Sequence, residues 1–414
     1  MNEMNLLLVL TGGTIGTSAE ADGLRKLVCS ENGTDGAAEP LLLRVVYDRS
    51  PQLRERIRFT IREPYQVLSE HMTLSHLEKL VACLREEELS GYDGILITHG
   101  SDTLAYTAAF LGELMEGSPI PVFLLAAQRP PEDPESNGAE NTLAALDLLR
   151  TFRFGADHVS GRDTVHPASE VSRGKNESEA ATCPDNETRK WGPSPVYVPY
   201  RNGDGVMYLH YASELRQCEP GTDDFFSAGM QPVTKTEGGY LWPEAQTVRH
   251  PESKGESLWP EEVRHPESKG ESLWPEEVCH PEPQGEGSHH LHAIPLCAAQ
   301  GPDSLWHVPD LHLTEDVLLL HPYVGIRYDC ISLSGIRAVV HTLYHSSTAP
   351  KELVGFLDRC REAGVTCYIL PCDPENYHYE TTAELISHGA VPLDGLTEES
   401  AYMRLLMKKI QRNA

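Results

Sequence analysis

Short apolar runs alternate with amphipathic segments along the first part of the chain. The apolar runs occupy residues 5–10, 95–97 and 119–127, and their brevity and turn-rich ends are typical of buried parallel strands. Residues 73–90 carry leucines and a valine at helical spacing, and a second helix is predicted to begin within residues 141–149. Strands that alternate with helices predict a mainly parallel sheet with helices on both faces.

The same alternation returns near the carboxyl terminus. Strands are predicted within residues 316–325, 336–345 and 365–371, and an amphipathic helix within residues 351–364 ends at a glycine. Between the two α/β regions, the turn sequence NGDG joins two apolar segments and predicts a β-hairpin over residues 195–212. The predicted fold class is therefore α/β, with a larger amino-terminal domain and a smaller carboxyl-terminal α/β domain.

Two stretches interrupt this pattern. Residues 153–194 are rich in Gly, Ser, Asn, Asp and Glu, a composition that favours a flexible insertion. Residues 231–304 contain units beginning with LWPE that repeat at intervals of roughly 15 residues. Their Pro, Gly and Glu content predicts disorder, and an interaction tract anchored on the tryptophans is the alternative. The predicted domains are therefore residues 1–230 and 305–414, separated by the repeat insertion.

Polar side chains gather where two of the predicted strands end. Residues 11–17 (TGGTIGT) follow the first strand, and their glycines let the backbone approach a small ligand and expose the Thr14 hydroxyl. The glycine spacing does not match a nucleotide-binding loop. The turn after the second apolar run contains His99, Ser101 and Asp102. Because ligands bind at the carboxyl ends of strands in open α/β sheets, we predict a site there; helix capping by Ser101 or Asp102 is the alternative.

Composition narrows the function classes. The chain of 414 residues has a formal net charge of −28, which argues against nucleic-acid binding because phosphate contacts need basic surface. No apolar run approaches the ~20 residues that span a bilayer, and the amino terminus lacks the basic region of a signal peptide. The cysteines form no CxxC pair and are expected to be reduced thiols. We therefore expect a cytoplasmic protein without membrane contact, metal or cofactor.

Five motifs, in order, resemble the L-asparaginase/glutaminase family. TGGTIG and THGSDTLAYTA resemble the two signatures of the family, and LSEHM resembles its substrate-clasping loop. AAQRP resembles a third strand-end loop, and SNGAEN resembles the start of the next helix. The motifs lie at residues 11–16, 98–108, 68–72, 126–130 and 136–141. The chain is identified as a divergent member with a threonine nucleophile, and the resemblance covers roughly residues 4–152, 195–230 and 305–414.

The resemblance implies a role for the residues of the two signatures. Thr14 would be the nucleophile that attacks a side-chain amide and leaves an acyl-enzyme for water to open. Ser101 stands where the family usually has threonine, so the hydroxyl is kept and the methyl that stiffens χ1 is lost. Asp102 would bind the substrate's α-ammonium group by a charge-assisted contact. Gly13 and Gly100 would lie against the substrate.

The remaining motifs imply the other contacts. Ser69 would hold the α-carboxylate, with Glu70 as a neighbouring contact, and the backbone of Ala127 would meet the leaving amide. For Ser69, a cap of the following helix is the alternative. In the family the smaller domain completes the site of a neighbouring subunit, which implies a homodimer or homotetramer; here Thr348 replaces the family's asparagine, and Glu380 is a candidate contact. The implied partner is a small-molecule amino-acid amide.

Two proton-transfer groups of the family are replaced. Leu24 stands where the family's flap tyrosine would be. Counting back from Phe226 puts Gln217, with Arg216 beside it, at the position of the relay lysine. A glutamine cannot accept a proton at neutral pH, and an arginine stays charged. Because general acid–base catalysis contributes ~10²–10⁴ in rate, we expect slow turnover.

These observations leave three hypotheses for the function. The first is an asparaginase-type amidohydrolase that converts L-asparagine or a related amide to the acid and ammonia. The second is a catalytically impaired amino-acid-binding or regulatory protein on the same fold. The third is the ammonia-producing subunit of a tRNA amidotransferase, against which the acidic charge and the expected absence of an extra amino-terminal domain both count.

Overall fold

A computed structural model describes most of the two predicted α/β regions. The described residues are 3–19, 25–27, 39–154, 194–228, 230–236, 239–241, 311–372 and 379–413. Leu24 and most of the two predicted insertions, at residues 153–194 and 231–304, lie outside them. The predicted domain boundaries therefore stay predictions.

The strands and α-helices of the described residues are numbered in chain order. The strands are β1 (Met4–Val9), β2 (Thr17–Ala19), β3 (Arg25–Leu27), β4 (Ile57–Arg62), β5 (Gly94–Thr98), β6 (Val122–Leu125), β7 (Val196–Arg201), β8 (Met207–Tyr211), β9 (Gln231–Pro232), β10 (Thr234–Thr236), β11 (Gly239–Leu241), β12 (Val317–Leu320), β13 (Ala338–Thr342), β14 (Thr366–Leu370) and β15 (Val391–Pro392). The helices are α1 (Leu41–Arg49), α2 (Leu74–Arg85), α3 (Leu104–Leu114), α4 (Gly138–Phe154), α5 (Glu352–Glu362), α6 (Glu380–Ser387) and α7 (Glu398–Asn413).

The larger sheet of the described residues runs in the order β4-β1-β5-β6-β7-β8-β9. Neighbouring strands from β4 to β7 pair in parallel, and β8 pairs antiparallel with both β7 and β9. Val9 lies opposite Ile97, and Ile97 lies opposite Leu124, so β1, β5 and β6 end at the same edge. The predicted fold class is confirmed, and the hairpin predicted at residues 195–212 is the β7–β8 pair.

Helices cover both faces of this sheet. α2 and α3 pack on one face, where Leu80 and Phe110 are fully buried. α1 and α4 pack on the other, where Val46 and Leu148 are fully buried. Burial from both sides explains why the strands read as continuous apolar runs rather than as alternating patterns. No helix in the described part of the chain is long and apolar enough to cross a membrane.

The smaller sheet is parallel, with its described strands in the simple order β12-β13-β14-β15. α5 and α6 bury their apolar sides against one face. On the other face, α7 packs against α3 of the larger domain, and apolar residues of β12, β13 and α7 belong to the same core as those of α2 and α3. The ion pair between Glu113 and Arg404 also joins α3 to α7. The smaller domain is thus fixed to the helix that follows β5.

The helix predicted over residues 73–90 is α2, which ends earlier, at Arg85. The run of glutamates that follows, residues 86–88, carries no apolar side chain to bury against the sheet. At the other end, Thr73 is the N-cap, and its backbone NH donates to Nδ1 of His76 at 3.0 Å. This reciprocal capping satisfies amide groups that the first helical turn leaves open.

Candidate active site

The loops that carry the predicted site residues leave a single edge of the larger sheet. β1 leads to the short 3-10 turn Thr14–Gly16, and β5 leads to the turn Ser101–Thr103. The two strands are adjacent and parallel, so both turns begin at the carboxyl edge where α/β proteins bind ligands. The first residue of each turn, Thr14 and Ser101, is half-buried.

The two loops touch through glycine backbones. A Cβ atom built on Gly13 would lie 2.3 Å from the amide nitrogen of Gly100 and 2.5 Å from the carbonyl carbon of His99. Gly13 has φ 75° and ψ 175°, a conformation that is nearly restricted to glycine. Thr14 and Ser101 directly follow the two touching glycines, so the contact brings both hydroxyl-bearing residues to the same part of the edge.

Hydrogen bonds at the base of the loops hold this contact in register. The Thr11 hydroxyl donates to the carbonyl of Thr98 at 2.5 Å, and the Thr11 NH donates to the Thr98 hydroxyl at 3.1 Å. On the other side, the Gly13 NH donates to the carbonyl of Val67 at 3.0 Å, and the Val67 NH donates to the carbonyl of Thr11 at 3.1 Å. The chain leading to Ser69 is therefore bound to the first loop.

Ser69 and Asp102 form a direct pair. The Ser69 hydroxyl donates to Oδ2 of Asp102 at 2.5 Å, and a Cβ built on Gly100 would lie 2.4 Å from the Cβ of Ser69. Ser69 is buried, whereas Asp102 is exposed at the edge. The helix-capping alternatives do not hold, because α2 is capped by Thr73 and the N-cap of α3 is Thr103, which makes no side-chain cap.

The loop after β6 lies beside the first loop. A Cβ built on Gly138 would lie 2.9 Å from the Cβ of Ala127 and 3.5 Å from Cγ1 of Ile15, so both side chains contact the same glycine. Ala127 is 1% exposed, and its backbone is held at the same edge as Thr14. Glu70 is exposed one residue after the Ser69 pair.

Two buried asparagines from the SNGAEN motif anchor the β6 loop to β7. Asn141 donates from Nδ2 to the carbonyl of Ala126 at 3.0 Å, and its Oδ1 accepts from the NH of Arg201 at 2.9 Å. Asn137 accepts from the NH of Gln128 at 3.1 Å and donates to the carbonyl of Arg201 at 2.9 Å. Both asparagines are 0% exposed. They therefore bridge two strand ends that lack backbone pairing there.

We expect Asn141→Ala to lower the free energy of unfolding by about 2–4 kcal/mol, because it leaves a buried carbonyl and a buried NH unpaired. Urea unfolding measures the change. Glu132→Ala, at an exposed position of the preceding loop, is the control and should change stability by no more than about 0.5 kcal/mol. Equal urea midpoints for the two variants would show that the hydrogen bonds of Asn141 contribute nothing to stability.

His99 supports the second loop from inside. The residue is 2% exposed, its Nδ1 lies 2.8 Å from the carbonyl of Gly100, and its Nε2 lies 2.8 Å from the Thr107 hydroxyl. A carbonyl can only accept, so Nδ1 carries the proton and Nε2 accepts from Thr107. Burial lowers the pKa of His99 to about 4. The neutral imidazole thus joins the turn to α3 by hydrogen bonds, and it is buried away from a substrate.

The lowered pKa of His99 predicts a loss of stability in acid. Above pH 6.5 the imidazole is neutral in both the folded and the unfolded chain, so its contribution is complete. Between pH 6.5 and about 4 only the unfolded chain takes up this proton, and the free energy of unfolding falls by about 1.4 kcal/mol per pH unit. His99→Gln should therefore show a shallower fall across that window by urea unfolding. The exposed His71→Gln variant should keep the wild-type slope, and a wild-type slope in both variants would refute the assignment.

The segment predicted to replace the relay lysine approaches Asp102 through a different residue. The Gln217 side chain is exposed, and its backbone NH donates to Oε1 of Glu399 at 2.8 Å. The next residue, Cys218, is half-buried; burial and the carboxylates of Asp223 and Asp102 raise the pKa of its thiol to about 11. The thiol donates to the carbonyl of Thr222 at 3.8 Å. The placement of Gln217 at the relay position stays a prediction.

The edge combines hydroxyls with one exposed carboxylate. Thr14 and Ser101 follow the two touching glycines and carry hydroxyls, a kind of group that can act as a nucleophile, and the Asp102 carboxylate accepts the Ser69 hydroxyl. Glu380, the candidate contact to a neighbouring copy of the chain, is exposed at the start of α6. Within the described ranges, no group of three His, Cys, Asp or Glu side chains is placed to hold a metal ion.

Residues 5–188 match the family model described as "Asparaginase, N-terminal". A glutamyl-tRNA(Gln) amidotransferase chain of Methanosarcina barkeri is 38% identical over 183 residues, which cover 44% of this chain and 42% of that protein. The L-asparaginase of Thermococcus kodakarensis is 29% identical over 213 residues, which cover 50% of this chain and 56% of that protein. The chain thus spans about half the length of these curated relatives.

Solved structures of L-asparaginases have a fold similar to that of this chain. The thermostable L-asparaginase from Thermococcus kodakarensis superimposes with a TM-score of 0.55 at 17% identity, covering 99% of this chain and 96% of that one. L-asparaginase I from Vibrio cholerae gives a TM-score of 0.55 at 18% identity, covering 99% and 94%. At this identity the likeness is one of fold, and it extends the agreement to the smaller domain.

Proposed function

Because residues 5–188 match the asparaginase family model, we propose that the chain is an amidohydrolase that releases ammonia from L-asparagine or a closely related amide. The observation that supports this most is the backbone contact between Gly13 and Gly100, which joins the loops that carry Thr14 and Ser101. Two hydroxyls at neighbouring strand tips, next to a carboxylate that recognises ammonium, suit the attack on a small amino-acid amide.

In the proposed reaction, the Thr14 oxygen attacks the carbonyl carbon of the side-chain amide. The proton of the Thr14 hydroxyl passes to the amide nitrogen, so the tetrahedral intermediate expels ammonia and leaves an ester on Thr14; water then hydrolyses the ester to the free acid and restores the hydroxyl. We assign the backbone of Ala127 to the leaving amide; Asn141 and Asn137 hold the residues on either side of it, Ala126 and Gln128. Because Leu24 and Gln217 are predicted to stand in place of the family's flap tyrosine and relay lysine, we expect turnover to be slow.

Substrate binding would rearrange the Ser69–Asp102 pair. A serine hydroxyl has one proton, and in the free protein Ser69 gives it to Asp102. When the substrate's ammonium group docks on Asp102, it supplies the carboxylate with new donors, and the Ser69 proton is free to turn to the substrate's α-carboxylate. The Ser69–Asp102 pair thereby binds both charged groups of an α-amino acid.

We expect Ser69→Ala to raise KM by about tenfold and to change kcat less, because a hydrogen bond to a charged group contributes about 1.5 kcal/mol or more. Initial rates of ammonia release over a range of asparagine concentrations give both constants. Ser75→Ala, at an exposed position of α2, should leave both unchanged. A fall in kcat alone would place Ser69 in the chemical step rather than in binding.

The experiment that tests the proposed function is a coupled ammonia assay on the full chain with L-asparagine, L-glutamine and simple aliphatic amides. Release from an amino-acid amide, and not from the aliphatic amides, is expected. If no amide yields ammonia while calorimetry shows L-aspartate binding, the chain is a binding protein on this fold. If neither is detected, the proposal fails.

The likeness to the glutamyl-tRNA(Gln) amidotransferase chain supports a second candidate, an ammonia-producing component of such an enzyme. The charge of −28 opposes direct contact with tRNA. Filter binding of unfractionated tRNA at physiological salt distinguishes the candidates: no binding is expected for the amidohydrolase, and salt-dependent binding would favour the second candidate.

A further inference from the structure

The loop that carries Cys218 is held from the smaller domain. Its backbone makes two bonds to the first turn of α7: the Gln217 NH donates to Oε1 of Glu399 at 2.8 Å, and the Ser400 hydroxyl donates to the carbonyl of Ser213 at 2.7 Å. Glu399 and Ser400 are each 1% exposed. Residues 213–218 are called here the edge segment, because they lead from β8 to the acidic side of the candidate active site.

Glu399 has more bonding capacity than the edge segment uses. Its second oxygen, Oε2, is buried without a hydrogen-bond partner among the described residues. Glu399 lines a cavity of about 740 Å³ together with Gln217 and Cys218. Burial raises the pKa of Glu399, the NH groups of Glu399 itself and of Gln217 lower it, the Glu398 carboxylate raises it, and the Thr397 hydroxyl lowers it. Burying a carboxylate costs folding free energy unless its oxygens accept hydrogen bonds from neighbouring groups.

α7 is anchored firmly enough to act as a fixed support. Arg404 pairs with Glu113 of α3, and the rings of Tyr402 and Tyr106 meet edge to face with centroids 6.0 Å apart. α3 is the helix that begins directly after Asp102 and its turn. α7 of the smaller domain therefore contacts both α3, through the side chains of Arg404 and Tyr402, and the edge segment, through Glu399.

We propose that Glu399 is a positioning residue, whose carboxylate fixes the backbone of the edge segment so that the Cys218 thiol stays half-buried and donates to the carbonyl of Thr222 at 3.8 Å. Glu399 touches neither of the proposed reacting groups and acts through Gln217 and Cys218. Without this acceptor, the Gln217 NH loses its partner, the segment relaxes into the adjacent cavity, and the thiol leaves the Thr222 carbonyl. The proposal rests on the proposed function only for its consequence in turnover, since the position of the thiol is measured without any substrate.

The test is the rate at which iodoacetamide alkylates Cys218 in the full chain, read peptide by peptide in a mass spectrometer across a range of pH. In Glu399→Ala we expect alkylation of Cys218 to be about tenfold faster at mildly alkaline pH, because the thiol leaves its buried, acidic surroundings and its pKa falls from about 11. The rates at the buried Cys360, Cys367 and Cys372 should stay unchanged.

Two matched variants separate positioning from general loosening. Glu399→Gln keeps an oxygen acceptor for the Gln217 NH, so its Cys218 rate should equal that of the wild type. Glu398→Ala removes the adjacent carboxylate, which faces His321 instead, and should also leave the rate unchanged. An unchanged Cys218 rate in Glu399→Ala overturns the proposal, as does a rise shared by all buried cysteines.

Ammonia release by the same variants shows whether the position matters for turnover. If wild type is active, Glu399→Ala should lower kcat/KM and Glu399→Gln should restore it. An inactive wild type would count against the proposed function while leaving the alkylation result to decide the positioning role. Faster alkylation with unchanged kcat/KM would overturn the link between Cys218 and the reaction.

Discussion

Gly13→Ala is expected to abolish detectable ammonia release and to destabilise the fold by at least about 2 kcal/mol. The new Cβ would overlap the backbone of Gly100 at 2.3 Å, and a backbone cannot swing aside as a flexible side chain can. The φ of 75° and ψ of 175° at this position add strain of their own. The first loop must therefore move away from the second, which separates Thr14 from Ser101.

Gly16→Ala is the matched control for this change. It lies in the same loop, and a Cβ built there meets its nearest atom, Oε1 of Gln66, at 4.0 Å, which is an ordinary contact. We expect this variant to keep most of the activity and stability, as measured by ammonia release and urea unfolding. Similar losses in both variants would mean that the loop is merely intolerant of substitution, and the close contact between the loops would carry no special weight.

Thr14→Ala is expected to reduce ammonia release by about 10³-fold or more, because it removes the oxygen that forms the acyl-enzyme. Binding of L-aspartate, measured by calorimetry, should be nearly unchanged, since the charged groups of the ligand are assigned to Ser69 and Asp102. Thr14→Ser keeps the hydroxyl and loses only the methyl that stiffens χ1, so it should retain measurable activity. Equal turnover in Thr14→Ala and wild type would remove Thr14 from the mechanism.

Much of this arrangement could be predicted from the sequence because it depends on local patterns. Apolar runs such as residues 5–10 and 119–127 mark parallel strands, and loops that follow neighbouring strands meet at the same edge. The two glycine-bearing motifs therefore predict that Thr14 and Ser101 lie together, without any distance being known.

The partners of individual side chains could not be predicted in this way. His99 stands in the motif beside Ser101, yet it turns inward to Thr107, since neighbours in sequence can face opposite sides of a turn. Ser69 was open to a capping role that Thr73 fills, because several residues before a helix satisfy the same local preference.

Contacts between residues far apart in the chain were the hardest to predict from the sequence. The bond from Glu399 to the NH of Gln217 spans 182 residues and leaves no periodic signal in either segment. The asparagines at 137 and 141 belong to a recognisable motif, but their bonds to Arg201 depend on the pairing of strands across the sheet. Such contacts follow from tertiary structure, in which chain separation carries no information about distance.

The most direct test of the central claim is to look for the acyl group on Thr14. The full chain is mixed with L-asparagine, quenched in acid within the first turnover, digested, and analysed for a mass increase on the peptide containing residues 11–16. We predict an aspartyl ester on Thr14 that is absent in Thr14→Ala and accumulates together with the first equivalent of ammonia. Ammonia released at the wild-type rate with no adduct on that peptide would contradict the claim.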